Sequence, residues 1–158
     1  VGPLVGAALA RPFLDFDVEL TRRAGAAIPE QFARDGEPAF RAREAALSRE
    51  LADAPAMVLA PGGGWMTNAA AAAPLRPAGR IIYLRTTPAA ALARLGAGVA
   101  GRPLLAAADD PLAALSALLA RRSAGYESAD LMVDTDGLAP ADVAGRVVTL
   151  VRVAEGDG

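Results

Sequence analysis

Short aliphatic runs alternate with helical stretches along this chain, and that alternation restricts the fold more than any other feature. Residues 12–15, 57–60, 80–85 and 131–134 read as strands, the third being β-branched and aromatic. Between them lie helical segments over 1–10, 18–23, 29–33, 37–51, from Thr67 or Asn68 to about 75, 88–95, 111–122 and 140 to about 153. Asp17 is placed to cap the helix over 18–23, Gly25 to end it, and Gly36 to close the one over 29–33. Thr87 is placed to cap a helix that has Pro88 at its first position. Strands joined through helices of this length need crossover connections. They therefore run parallel, with helices on both faces: a three-layer α/β fold. Residues 154–158 are expected to fray.

Composition narrows the chemistry. The 158 residues suit a single domain without internal repeat or linker, placed at 1–153. Alanine supplies much of the apolar content, so close helix contacts and a few Leu, Ile, Val and Phe clusters must form the core. Histidine and cysteine are absent, which excludes Ser-His-Asp and Cys-His catalysis, disulfides and thiolate metal sites. Acid–base work falls to carboxylates. Every basic side chain is arginine, the arginines are scattered, and the formal net charge is −2, so no stripe exists for tracking a nucleic acid. No apolar run is long enough to span a bilayer, and residues 1–10 lack the basic start and cleavage site of a signal peptide. The expectation is a soluble cytoplasmic protein with neither membrane nor nucleic-acid partners.

Several short motifs sit where such a fold places ligands, beyond the carboxyl ends of parallel strands. Asp15-x-Asp17 ends the first strand: it is either a cap with a solvated turn acid, or a carboxylate pair for a cation and for a hydroxyl proton. Phe40-Arg41 precedes Glu44 by one helical turn, giving either a surface ion pair or a guanidinium pre-oriented for a carboxylate. Gly62-Gly63-Gly64 follows the second strand and is either a tight turn or a backbone that can approach a ligand closely. Arg102-Pro103-Leu104-Leu105 lies in a Gly- and Ala-rich loop at about 96–110. Arg94 ends the helix before that loop, and Arg122 precedes Ser123-Ala124-Gly125-Tyr126, with Arg121 as an adjacent competitor.

In this order and spacing, Asp15-Phe16-Asp17, Gly36-Glu37-Pro38-Ala39-Phe40-Arg41 with Glu44, the glycine triplet and Arg102-Pro103-Leu104-Leu105 resemble the shikimate kinases, a nucleoside-monophosphate-kinase-like family. The resemblance implies a P-loop NTPase-like fold with strand order 2-3-1-4-5 and ATP-dependent phosphorylation of the shikimate 3-hydroxyl, on the route to chorismate and aromatic amino acids. It implies that Asp17 binds the hydroxyls and accepts the proton. Arg41 and Arg122 bind the substrate carboxylate, with Glu44 fixing Arg41 and Gly63 and Gly64 lying against the substrate. Arg102 lies on a lid over 96–110 and reaches the transferring phosphoryl group, while Arg94 lies near the adenine. Phe32 and Phe40 form an apolar wall, and Asp15 lies on the Mg²⁺ side. The Arg-x-Pro-Leu-Tyr pattern of the family is altered here, Ala124 and Gly125 standing for Pro and Leu. A monomer binding shikimate and ATP is expected, with Trp65 reporting substrate binding through its fluorescence.

The family's first strand and its G-x-x-x-x-G-K-[ST] loop have no counterpart in residues 1–158. The expectation is that the sequence is a piece of a longer one with that loop upstream, and that these residues alone turn over little or no ATP. The alternatives are another kinase of the fold, such as a gluconate kinase, a non-catalytic carboxylate-binding relic, or one module of a longer aromatic-pathway polypeptide.

Overall fold

A strand that turns directly into a helix sets the first corner of the fold. In the computed structural model, which describes residues 1–96 and 108–156, β1 (Phe13–Asp15) runs into α2 (Phe16–Ala24) without a linker. Asp15 keeps extended backbone angles, and its Oδ1 accepts from the amides of Asp17 (2.9 Å) and Val18 (3.1 Å). The cap is therefore Asp15 and not Asp17 as the sequence suggested. Asp17 lies inside the first turn, with its side chain exposed. Gly25 ends α2 in the left-handed region (φ 62°).

The helices expected over 29–33 and 37–51 form one element, α3 (Ile28–Ala52), broken at Gly36, whose φ of 79° and ψ of 166° suit glycine alone. β2 (Val58–Ala60) leads into the glycine triplet, a 3₁₀ turn (Trp65–Thr67) and α4 (Ala69–Leu75). β3 spans Ile82–Arg85 rather than 80–85, because the Ile81 amide donates instead to the Asp130 carboxylate (2.7 Å). Thr87 caps α5 (Pro88–Leu95) as expected, accepting from the Ala90 amide. Asp110 caps α6 (Pro111–Glu127), which continues past Arg122, so that this arginine projects from within the helix. β4 is Leu131–Asp134, as expected. The last helix, α7 (Pro140–Glu155), reaches further than expected: Glu155 is paired with Arg11 through two bonds of 2.9 and 2.8 Å, so the fraying predicted from residue 154 does not begin there. The first helix, α1, is Gly2–Ala8. The Arg102-Pro103-Leu104-Leu105 motif, most of the expected lid, and residues 157–158 lie outside the described residues.

Among the described residues the strands form two parallel pairs. β1 pairs with β2, Leu14 opposite Leu59, and β3 pairs with β4, Leu84 opposite Val133. No ladder joins β2 to β3. That arrangement agrees with the expected order once the first strand, which this sequence does not contain, is left out.

Alternate side chains feed two cores. Leu14, Leu59 and Ile81 pack with Phe16, Leu20, Phe40, Leu47, Trp65 and Ala71, beneath α2, α3 and α4. Val58, Ile82 and Val133 pack with Val5, Val143, Val147 and Val151, beneath α1 and α7. Phe16 is fully buried and meets the Trp65 ring edge-on at 6.3 Å. The Trp65 indole N–H donates to the buried Ser48 hydroxyl (3.0 Å), so neither polar group is stranded. The Phe16→Ala variant is expected to lose about 3–5 kcal/mol of stability. Urea unfolding should show a lower midpoint at unchanged slope.

Candidate functional site

Three consecutive glycines at the end of β2 gather the residues singled out in the sequence. A Cβ at Gly62 would lie 3.1 Å from Oδ1 of Asp17. One at Gly63 would lie 3.2 Å from Nη1 of Arg122 and 3.3 Å from the Tyr126 hydroxyl. One at Gly64 would lie 2.5 Å from Nη2 and 2.7 Å from Nη1 of Arg41. Each glycine therefore leaves room for a different functional group: an acid from α2, an arginine from α6 and an arginine from α3. The turn is tied down by its own bonds. The Trp65 amide donates to the Gly62 carbonyl (2.9 Å), and Thr67 Oγ1 to the Gly64 carbonyl (2.7 Å). The Tyr126 hydroxyl donates to the Gly63 carbonyl (2.6 Å) while its ring stacks on Tyr83 at 5.1 Å.

Arg41 is the most constrained of these groups. Its Nη1 donates to Glu44 (2.7 Å), a carboxylate only 1% exposed. Its Nε and Nη2 both donate to Oε1 of Glu37 (3.1 and 2.9 Å). Burial opposes its charge, but the bonds to Glu44 and Glu37 outweigh that and hold the guanidinium above its ordinary pKa. The side chain is therefore a fixed cation. Asn68, which the sequence reading did not single out, donates to the Arg41 carbonyl (2.9 Å). These two lie far apart in sequence, and no local pattern links them. An open cleft of about 410 Å³ is lined by Glu37, Pro38, Arg41, Thr67 and Asn68, and so opens on the Glu37 side of Arg41.

The break at Gly36 is itself pinned. Arg43 donates to Gln31 Oε1 (3.3 Å) and to Asp35, and Gln31, fully buried, donates to the carbonyls of Leu20 and Ala26. Arg34 and Arg43 hold the Asp35 carboxyl well below the usual range. The Phe32 and Phe40 rings meet across the break with centroids 4.7 Å apart and planes tilted by 32°. Phe40 is buried in the core, and only Phe32 is partly exposed, so the expected apolar wall is mostly interior. Trp65 likewise faces inward. It is 2% exposed and its indole N–H is taken by Ser48, so the ring offers no surface for direct contact at the turn.

Arg94 lies apart from this cluster, at the carboxyl ends of β3 and β4. It donates to Thr135 Oγ1 (2.9 Å), to the Thr135 carbonyl and to Thr86 Oγ1 (3.4 Å). Asp136 accepts from Thr86 Oγ1 (2.5 Å) and the Thr87 amide, and these bonds lower its pKa. The expected phosphoryl-binding residue, Arg102, is outside the described residues. Among the described residues no group of three or more potential ligands surrounds a metal position. Asp15 can offer one carboxylate, with its Oδ1 already engaged by the cap. That donor set fits a hard cation held mainly by phosphate oxygens and water, as Mg²⁺ is.

This parallel α/β fold brings an acid and two arginines to a glycine turn at the carboxyl ends of its strands, where such folds bind ligands. The sequence matches the shikimate kinase profile over residues 1–152. It is 41% identical over 156 residues to the shikimate kinase of Pseudomonas savastanoi pv. phaseolicola, covering 98% of this chain and 88% of that one. It is 40% identical over 148 residues to the shikimate kinase of Synechococcus sp. (strain RCC307), covering 94% of this chain and 75% of the relative. Its structure resembles that of a shikimate kinase from Acinetobacter baumannii in complex with shikimate, with a TM-score of 0.88 and 35% identity over 98% of this chain and 86% of that one. The chain belongs to the shikimate kinase family, whose members are ATP-dependent phosphotransferases.

Asp15→Ala is expected to lower stability by about 1 kcal/mol, and Asp15→Asn to leave it nearly unchanged, because asparagine caps a helix equally well. Chemical denaturation of the two variants side by side checks this.

Proposed function

We propose that residues 1–153 form one kinase-like domain that binds shikimate at the glycine turn, for transfer of the ATP γ-phosphoryl group to the shikimate 3-hydroxyl. Asp17 accepts the hydrogen bond of that hydroxyl and takes its proton as the new O–P bond forms and the β,γ-bridging O–P bond breaks. Arg41 and Arg122 bind the substrate carboxylate from opposite sides of Gly63 and Gly64. Glu44 holds Arg41 in register. Arg102 neutralises charge on the transferring phosphoryl group, and Arg94 serves the nucleotide side. Asp15 would help to hold Mg²⁺, directly or through water, and the ion would supply charge neutralisation at the phosphates. No stretch of residues 1–158 has the form G-x-x-x-x-G-K-[ST], so none supplies that phosphate cradle. Among the described residues no helix is long and apolar enough to cross a membrane. The proposal includes a monomer acting in the cytoplasm, without membrane or nucleic-acid partners.

The observation that carries this reading is the stacking of Asp17, Arg122 and Arg41 on Gly62, Gly63 and Gly64 in turn. Charge-assisted bonds to a carboxylate are worth about 1.5–3 kcal/mol, or roughly 10- to 100-fold in affinity. Calorimetric titration of shikimate should show saturable binding that Arg41→Gln and Arg122→Gln each weaken by about that factor. Gluconate should not bind. Saturable binding that is indifferent to both substitutions would sink the assignment. In the same titration, Gly64→Ala should weaken binding by about tenfold or more with the fold retained, because its Cβ displaces Arg41.

A further inference from the structure

We infer that Glu37 is an internal competitor for the substrate carboxylate at Arg41, and that its charge sets substrate affinity; the inference rests on the shikimate reading above. A guanidinium can take a carboxylate bidentately on its side fork, Nε with Nη2, or on its terminal edge, Nη1 with Nη2. In Arg41 the side fork is filled, since Nε and Nη2 converge on one Glu37 oxygen. The terminal edge faces Gly64. A Cβ there would be nearer to both terminal nitrogens (2.5 and 2.7 Å) than to Cζ (2.9 Å), which puts it beyond that edge rather than over the guanidinium face. An incoming carboxylate thus displaces Glu37 from the fork or binds the terminal edge with Glu37 still beside it. Either way it meets a negative charge already on its receptor.

The two glutamates on Arg41 are not equivalent. Glu44 is 1% exposed and cannot withdraw, because an unpaired buried carboxylate is costly. Glu37 is 63% exposed, and it lines the open cleft beside Arg41, which gives it space to swing into. It also directly follows the break at Gly36, in the first turn of the restarted helix, where unpaired amides favour a negative charge with or without Arg41. Its bond to Arg41 is of the exposed kind that contributes little and exchanges readily. Glu44 therefore fixes the guanidinium, and Glu37 occupies it until a better carboxylate arrives.

Glu37→Gln separates charge from positioning, because the amide oxygen can still accept from Nε and Nη2. The test is calorimetric titration of shikimate and of its uncharged methyl ester into the wild-type chain and this variant, with circular dichroism to verify the fold. The expected result is shikimate binding about three- to tenfold tighter in Glu37→Gln, with ester binding unchanged. The gain should shrink as salt is raised, since Glu37 is exposed. Unchanged or weaker shikimate binding in the variant would overturn the inference and make Glu37 a structural support of Arg41. A wild-type chain that binds no shikimate would overturn the substrate reading, and this inference with it. The wild-type titration alone tells the two failures apart.

Discussion

Gly64 has no side chain because the terminal edge of Arg41 stands where a Cβ would go, and the site depends on that close approach. Its neighbours make the same concession to Asp17 and to Arg122. A turn with ordinary side chains would push these groups outward and apart. Three glycines in a row are entropically expensive, and hydrogen bonds from Trp65, Thr67 and Tyr126 to the triplet's carbonyls restore the order that the missing side chains would have given. The turn is thus a rigid piece of backbone against which side chains from three helices are set.

What those helices present is a cation kept short of neutral surroundings. Arg41 lies between a buried carboxylate that cannot leave and an exposed one that can. A receptor for an anion must be positive without being costly to bury, and a single buried counter-charge meets both needs. It fixes the guanidinium while leaving donors for a ligand. A second counter-charge on the same guanidinium subtracts from its attraction for an anion, and the exposure of Glu37 is what would let it withdraw.

Much of this was legible in the sequence, for reasons that differ from residue to residue. The spacing of Arg41 and Glu44 by one helical turn and the glycine triplet after a strand both follow from local geometry. So does the Thr87–Pro88 helix start, and all three are found as read. Asp15 and Asp17 were both visible, but their roles as cap and exposed acid were interchanged. Which of two nearby acids caps a helix depends on which keeps extended backbone angles, and here the strand ends at Asp15 as read while the helix begins at Phe16, two residues before the expected start at 18. Helix α7 outlasts its apolar face because Glu155 finds Arg11, a partner 144 residues away that no local pattern reveals. The bonds from Asn68 to Arg41 and from Tyr126 to Gly63 were illegible for the same reason.

Arg41 and Arg122 come from different parts of the molecule. Arg41 is carried on α3 next to Phe40 of the core under α2, α3 and α4, whereas Arg122 rides on α6, which has no fully buried residue and whose Tyr126 stacks on Tyr83 of the other strand pair. No strand ladder joins the two pairs among the described residues; both hydrophobic cores draw on both pairs (through Ile81, just before β3, in one and Val58 in the other), and smaller contacts add to that near the site. Tyr126 bonds to Gly63, Arg76 bonds to Ser128, and Gly125 passes so close to the Met66 carbonyl that a Cβ there would lie 3.2 Å from it. Gly125 is where the family pattern has leucine, so its lack of a side chain allows a closer approach of α6 to the turn than a leucine would. Despite this departure from the family pattern, Arg122 reaches the turn, its Nη1 lying 3.2 Å from where a Cβ at Gly63 would be.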